Sequence, residues 1–204
     1  MSYIYVATRV LTYFGTLLRT IWEHIVCRVC KLAVEDARAF KNHELCGHIE
    51  HEVIHRTKHA FLMCFVPFTM NFILGICFLL TGSYRLVYLG DTTIYQAYLF
   101  MWMGISCLAN CAPSFEDMLA LKDCIYGGNN KARKIILAPF FGIVCAAACL
   151  VRYSLTFLLS IAFSVAFPYL TVWITPLISN IINILLNLKM KKLAKLLKLI
   201  MRFK

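Results

Sequence analysis

The sequence predicts an all-α, polytopic membrane bundle of four to five transmembrane helices, followed by a cationic amphipathic helix that lies on the membrane surface. Three observations predict it. Hydrophobic residues make up 61% of the 204 positions and charged residues 15%, against about 45–50% and about 25% in soluble domains. An interior of this size cannot hide so much apolar surface from water, so lipid has to cover it. The apolar residues also gather into runs of about twenty, the length an α-helix needs to cross a ~30 Å hydrocarbon core. Finally, the +11 formal charge flanks those runs and crowds the C-terminus, which suits anionic headgroups and not nucleic acid.

The elements follow in order. Residues 3–26 are apolar but contain Arg9, Arg19, Glu23 and His24. They read as a span that faces protein, with an interfacial amphipathic helix as the alternative. Residues 27–58 are polar and rich in His, Lys, Arg, Glu and Cys. A membrane helix is expected over 59–81, with Thr57 near its start, and a second over 93–112, stopped by Pro113. Ser114 can cap a short helix after it, with Glu116 and Asp117 in the first turn. The apolar stretch 135–174 is interrupted only by Arg152 and reads as two helices, 135–151 and 154–174, the second kinked at Pro168. From 177 to 204 the polar positions Asn180, Asn183, Asn187, Lys191, Lys195, Lys198 and Arg202 recur at steps of three and four. They form one stripe opposite Leu, Ile and Met, so Lys191, Lys195, Lys198 and Arg202 are expected to touch the membrane surface. Thr175 and Pro176 would start this helix. The chain thus divides into a membrane-embedded unit, 1–175, and a surface helix, 176–204. No cleavable signal peptide is expected, because the first apolar stretch has no basic leader.

Basic residues set the orientation. Segments 27–58, 113–134 and the C-terminus carry most of the Lys and Arg, and the two short turns between them carry little. Alternation of four spans places all three basic regions on the cytoplasmic side of the cell membrane. The cysteines lie largely in or beside apolar runs, where a free thiol behaves as a small hydrophobe. They do not argue for a secreted disulfide scaffold.

Chemistry concentrates in His43–His55. Within it, His51-Glu52-Val53-Ile54-His55 matches H-E-x-x-H. On a helix the two histidines share one face and hold Zn²⁺, and Glu52 acts as general base on the bound water. Glu116 or Asp117 would complete the ligand set. Cys27 and Cys30 with Cys46 and His48 offer an alternative structural zinc site. The plainer alternatives are a solvated approach to a membrane helix for the first and, for Cys27 and Cys30, apolar positions near a helix end. Asn71, inside an apolar run, reads as an interhelical hydrogen-bonding residue.

Gly47-His48-Ile49-Glu50-His51-Glu52, Pro67 and Asn71, and then Gly104-Ile105-Ser106 leading to Asn110, Pro113, Glu116 and Asp117, resemble small bacterial multi-pass membrane proteins. Those are distantly similar to membrane-embedded zinc metallopeptidases of the site-2 protease type. The resemblance spans residues 13–175. It implies that the zinc-binding helix of such peptidases corresponds here to Arg19–Glu23, which lacks the histidines, and that Asn110 stands at a further polar position. It therefore implies a degenerate, non-peptidase member. The expected function is binding of a lipid or protein partner, or oligomeric assembly, in the membrane. The alternatives are a zinc metallopeptidase using His51, Glu52 and His55, and a membrane-perturbing or pore-forming effector.

Overall fold

The computed structural model describes residues 2–40, 46–127 and 131–201. Helices α1 (Ser2–Leu11) and α2 (Tyr13–Cys30) are followed by strands β1 (Val34–Asp36) and β2 (Glu50–His51). Then come α3 (Thr57–Ser83), which continues into a π-helical turn (Tyr84–Tyr88), α4 (Tyr95–Ala109), α5 (Phe115–Tyr126), α6 (Lys131–Arg152) and α7 (Leu155–Met201).

Among the described residues, three helical stretches are long and apolar enough to cross a membrane: Thr57–Tyr88, Lys134–Arg152 and Leu155–Leu177. Only 17–33% of the most apolar window of each is buried within the chain. Ile136, Ile143 and Trp173 are each at least 70% exposed, so these helices turn much of their apolar surface outward. Helix α4 has 15 residues, about 22 Å at 1.5 Å per residue, which is short of a ~30 Å core.

The expected first segment is two helices. The chain bends at Thr12 (φ −102°, ψ 41°), whose carbonyl still accepts the Thr16 amide at 3.1 Å and is also reached by α4 side chains. Ser106 donates its hydroxyl to the Thr12 carbonyl at 2.8 Å and Asn110 donates its amide at 3.3 Å. A break in an apolar helix is tolerated where neighbouring groups satisfy the backbone in this way. The expected helix start at Thr175 is also absent, because α7 runs unbroken through Pro168 and Pro176. The Thr175 hydroxyl bonds back to the Thr171 carbonyl at 2.6 Å and leaves the following amides to the helix. Lys191, Lys195 and Lys198 fall within the helical range, and Arg202 and His43 lie outside the described residues. The turn at Arg152–Tyr153 is present, with Ser154 in the left-handed region at φ 56°.

Two clusters hold the bundle together. One joins Val26, Cys27 and Cys30 of α2 to Met63 and Cys64 of α3, Met118, Leu121 and Ile125 of α5, and Val144 and Ala148 of α6. A smaller one joins Leu79, Leu108 and Phe167 of α3, α4 and α7. Asn71 links elements as expected, donating to the Gly15 and Asn110 carbonyls at 3.2 Å and accepting from the Trp22 indole at 3.1 Å.

Helix α2 reaches α4 only because position 15 is glycine. A Cβ there would overlap the Ser106 carbonyl, and backbone cannot move aside as a side chain can. Gly15→Ala is therefore expected to lower stability by about 1–3 kcal/mol, the usual cost of overpacking. Unfolding in mixed micelles measures it, and an unchanged midpoint would refute the close approach.

Candidate functional site

Three segments carry charged or polar side chains into one buried place: α2, the β1–β2 ribbon with its loop, and the N-terminus of α5. Helix α2 presents Arg19 and Glu23, one turn apart, on the face that also buries Thr16 and Cys27. The ribbon pairs Val34 with His51 and Asp36 with Glu50 in antiparallel register. It turns back through Gly47, whose φ of +80° suits a residue without a side chain. That turn delivers His48 and His51 above α2. Ser114 begins α5 with a capping box: the Asp117 amide donates to the Ser114 hydroxyl at 3.1 Å, and the Ser114 amide donates to Asp117 Oδ2 at 3.0 Å. The short helix anticipated after Pro113 is thus present, and its cap fixes the Asp117 carboxylate.

Arg19 occupies the centre and is 1% exposed. Its Nε donates to Glu23 Oε1 at 2.7 Å, Nη2 donates to Asp117 Oδ2 at 2.8 Å, and Nη1 donates to the Ala112 carbonyl. The planar fork of the guanidinium is what allows one residue to hold three acceptors at once. Glu23 Oε2 takes the Ile49 amide at 3.0 Å and lies 3.0 Å from His48 Nδ1. Asp117 Oδ1 is 4.0 Å from the same nitrogen. Burial opposes a charge on His48, but the Glu23 and Asp117 carboxylates outweigh it and raise the imidazole pKa above its usual value. The place as a whole favours positive charge.

A second buried network adjoins the first. Asn110 is fully buried and accepts from the Arg9 guanidinium. It donates to the Thr12 hydroxyl and the Ser106 carbonyl, each at 2.8 Å. Arg9 is itself buried and stacks over Tyr5 at 5.0 Å.

The H-E-x-x-H segment is not helical. His51 ends β2, residues 52–56 carry no helix, and α3 starts at Thr57. The two histidines therefore do not share a helical face. Pairing with β1 decides this, since the Glu52 amide donates to the Ala33 carbonyl at 2.9 Å. Glu52 and His55 are exposed, as is Glu116. Cys27 and Cys30 sit in the apolar cluster, and Cys46 is buried beside the Ala39 carbonyl. Among the described residues one group of three potential metal ligands converges: His48, His51 and Asp117. This set takes His51 and Asp117 from the site anticipated around H-E-x-x-H and His48 from the alternative one. Apart from the resemblance, Arg19 and Glu23 stand out in the sequence only as charges spoiling an apolar run. Their i, i+4 spacing was the signal for a buried pair.

Comparison with known proteins finds no matching family model, no matching curated protein and no matching solved structure.

Proposed function

We propose that the chain is a multi-pass protein of the cell membrane that works without peptide hydrolysis, by binding a lipid or protein partner or by assembling with copies of itself. On the resemblance its sequence carries, its scaffold is a degenerate form of that of membrane zinc peptidases. The observation that carries this reading is the Arg19 clamp. Arg19 and Glu23 stand where the resemblance puts the metal-binding histidines, and Arg19 forms ion pairs with Glu23 at 2.7 Å and with Asp117 at 2.8 Å. A guanidinium fixed by three acceptors supplies the local positive charge but binds no exchangeable water, which metal-assisted hydrolysis needs. The apolar faces of the three long helices provide the surface for lipid or a neighbouring helix. The basic stripe ending at Arg202 adds attraction to anionic headgroups. With α4 crossing as a short, locally thinned span, segments 27–58, 113–134 and the C-terminus face the cytoplasm.

Reconstitution of the full chain tests this. Proteoliposomes containing transmembrane test peptides are expected to show no cleavage by mass spectrometry, with or without added zinc. Native mass spectrometry is expected to show retained anionic lipid or a mass above one chain. Cleavage that disappears in Glu52→Gln, or a lipid-free monomer, would overturn the proposal.

A further inference from the structure

Among the described residues, two acceptor atoms in the buried site have no donor. Nε2 of His51 and Oδ1 of Asp117 are both shielded from solvent and take part in no hydrogen bond, and Asp117 is 2% exposed. The other edge of His51 settles its tautomer. Nδ1 lies 2.8 Å from the Glu52 carbonyl oxygen. A carbonyl only accepts, so Nδ1 carries the proton and, in the neutral ring, Nε2 presents a lone pair. The His48 ring packs edge-on to the His51 ring at 5.7 Å. One ligand atom from each of His48, His51 and Asp117 lies within 4.8 Å of the others. The unshared lone pairs of His51 Nε2 and Asp117 Oδ1, held away from water, are the arrangement a cation stabilises.

We propose that His48, His51 and Asp117 bind a divalent transition-metal ion of the zinc class, and that the ion pins the β-ribbon to α5 and α2. Two imidazoles and one carboxylate select a borderline ion such as Zn²⁺ over Mg²⁺ or Ca²⁺, which take oxygen ligands. Ligand atoms around a tetrahedral ion at ~2.0–2.2 Å stand ~3.4 Å apart. The remaining gap closes by rotation of His51, the half-buried member, at the end of a two-residue strand.

The supporting shell is already built, as metal-ligating groups require. Glu23 holds His48 by Nδ1, and the Glu52 carbonyl holds His51 by Nδ1. Arg19 and Ser114 hold Asp117 through Oδ2, which leaves Oδ1 for the ion. The charges agree as well: one guanidinium opposes two carboxylates, so neutral imidazoles leave the place one negative charge that a dication reverses. Glu23 is a positioning residue and not a base. Its Oε1 is spent on Arg19 and its Oε2 on His48 and the Ile49 amide. The ion is thus a staple between distant segments, and the inference holds whether or not the chain works by partner binding.

The test uses the full chain in detergent micelles, without a polyhistidine tag, stripped with chelator and titrated with Zn²⁺. About one zinc per chain is expected to survive desalting, and Co²⁺ is expected to give the visible absorption of a nitrogen–oxygen site. His51→Ala leaves the Arg19 ion pairs in place and is expected to weaken binding at least tenfold, with folding checked by the melting curve. Asp117→Asn is expected to do the same. His55→Ala and Glu116→Gln, which alter the H-E-x-x-H reading but not this site, are expected to bind within twofold of the unaltered chain. Wild-type affinity in folded His51→Ala would overturn the proposal. So would an equal loss in His55→Ala, or the absence of stoichiometric zinc in the folded unaltered chain.

Discussion

Replacing Arg19 by alanine is expected to destabilise the protein by about 3–5 kcal/mol, the cost of leaving buried charges without their partner. Glu23 and Asp117 both lose their ion pair to Arg19 and, among the described residues, keep only His48 as an ionic partner, and the Ala112 carbonyl loses a donor. Neither carboxylate can turn to solvent, because each is fully buried. Arg19→Lys keeps the charge but cannot reach three acceptors with planar geometry, so an intermediate loss is expected. The triple variant Arg19→Met, Glu23→Gln, Asp117→Asn removes the charges together and is expected to recover much of the stability, since a neutral replacement of a buried ion triad is often tolerated. Equilibrium unfolding in mixed micelles gives all three values. A loss below about 1 kcal/mol in Arg19→Ala would show that the clamp is not an internal ion cluster but is reached by water.

Asn110→Leu is the second large expected effect, at about 2–3 kcal/mol, because hydrogen bonds to charged groups are worth roughly 1.5–3 kcal/mol. The buried Arg9 guanidinium loses its side-chain acceptor. The Thr12 hydroxyl and the Ser106 carbonyl lose a donor at the joint between α1 and α2. Asn110→Asp restores the acceptor for Arg9 but not the amide donor, so a smaller loss is expected. Hydrogen exchange at the α1–α2 joint should report the same order: fastest in Asn110→Leu, intermediate in Asn110→Asp, slowest in the unaltered chain. Equal exchange in all three would contradict a role for Asn110 in bridging the break at Thr12.

Several elements were readable because one local cause dominates each. Apolar runs bounded by Pro113 and Arg152 mark helices, and Ser114 with Asp117 marks a capped one. Other elements were misread because the deciding partner is remote. The 3–26 segment looks continuous, yet it divides at Thr12, where Ser106 and Asn110 of a distant helix bond to the backbone beside the joint. Thr175-Pro176 looks like a helix start, but a proline-interrupted apolar helix persists when threonine hydroxyls bond back to the preceding turn, as Thr171 and Thr175 do. H-E-x-x-H looks helical until Val34 is seen to pair with His51.

By itself the sequence determined that this chain forms helices long and apolar enough to cross a membrane and that charges inside its other apolar stretches must be paired. Both follow from composition and period, since apolar area and helical repeat are properties of the residues alone. Only the tertiary structure decided which charges meet. It brought Arg19 and Glu23 of one helix to Asp117 of another and turned His48 and His51 over them on a two-stranded ribbon. The formal motif and the actual cluster share His51 but not its neighbours. Ligand geometry is a matter of distances across the fold, and residue spacing along the chain constrains those distances only within a single helix or strand.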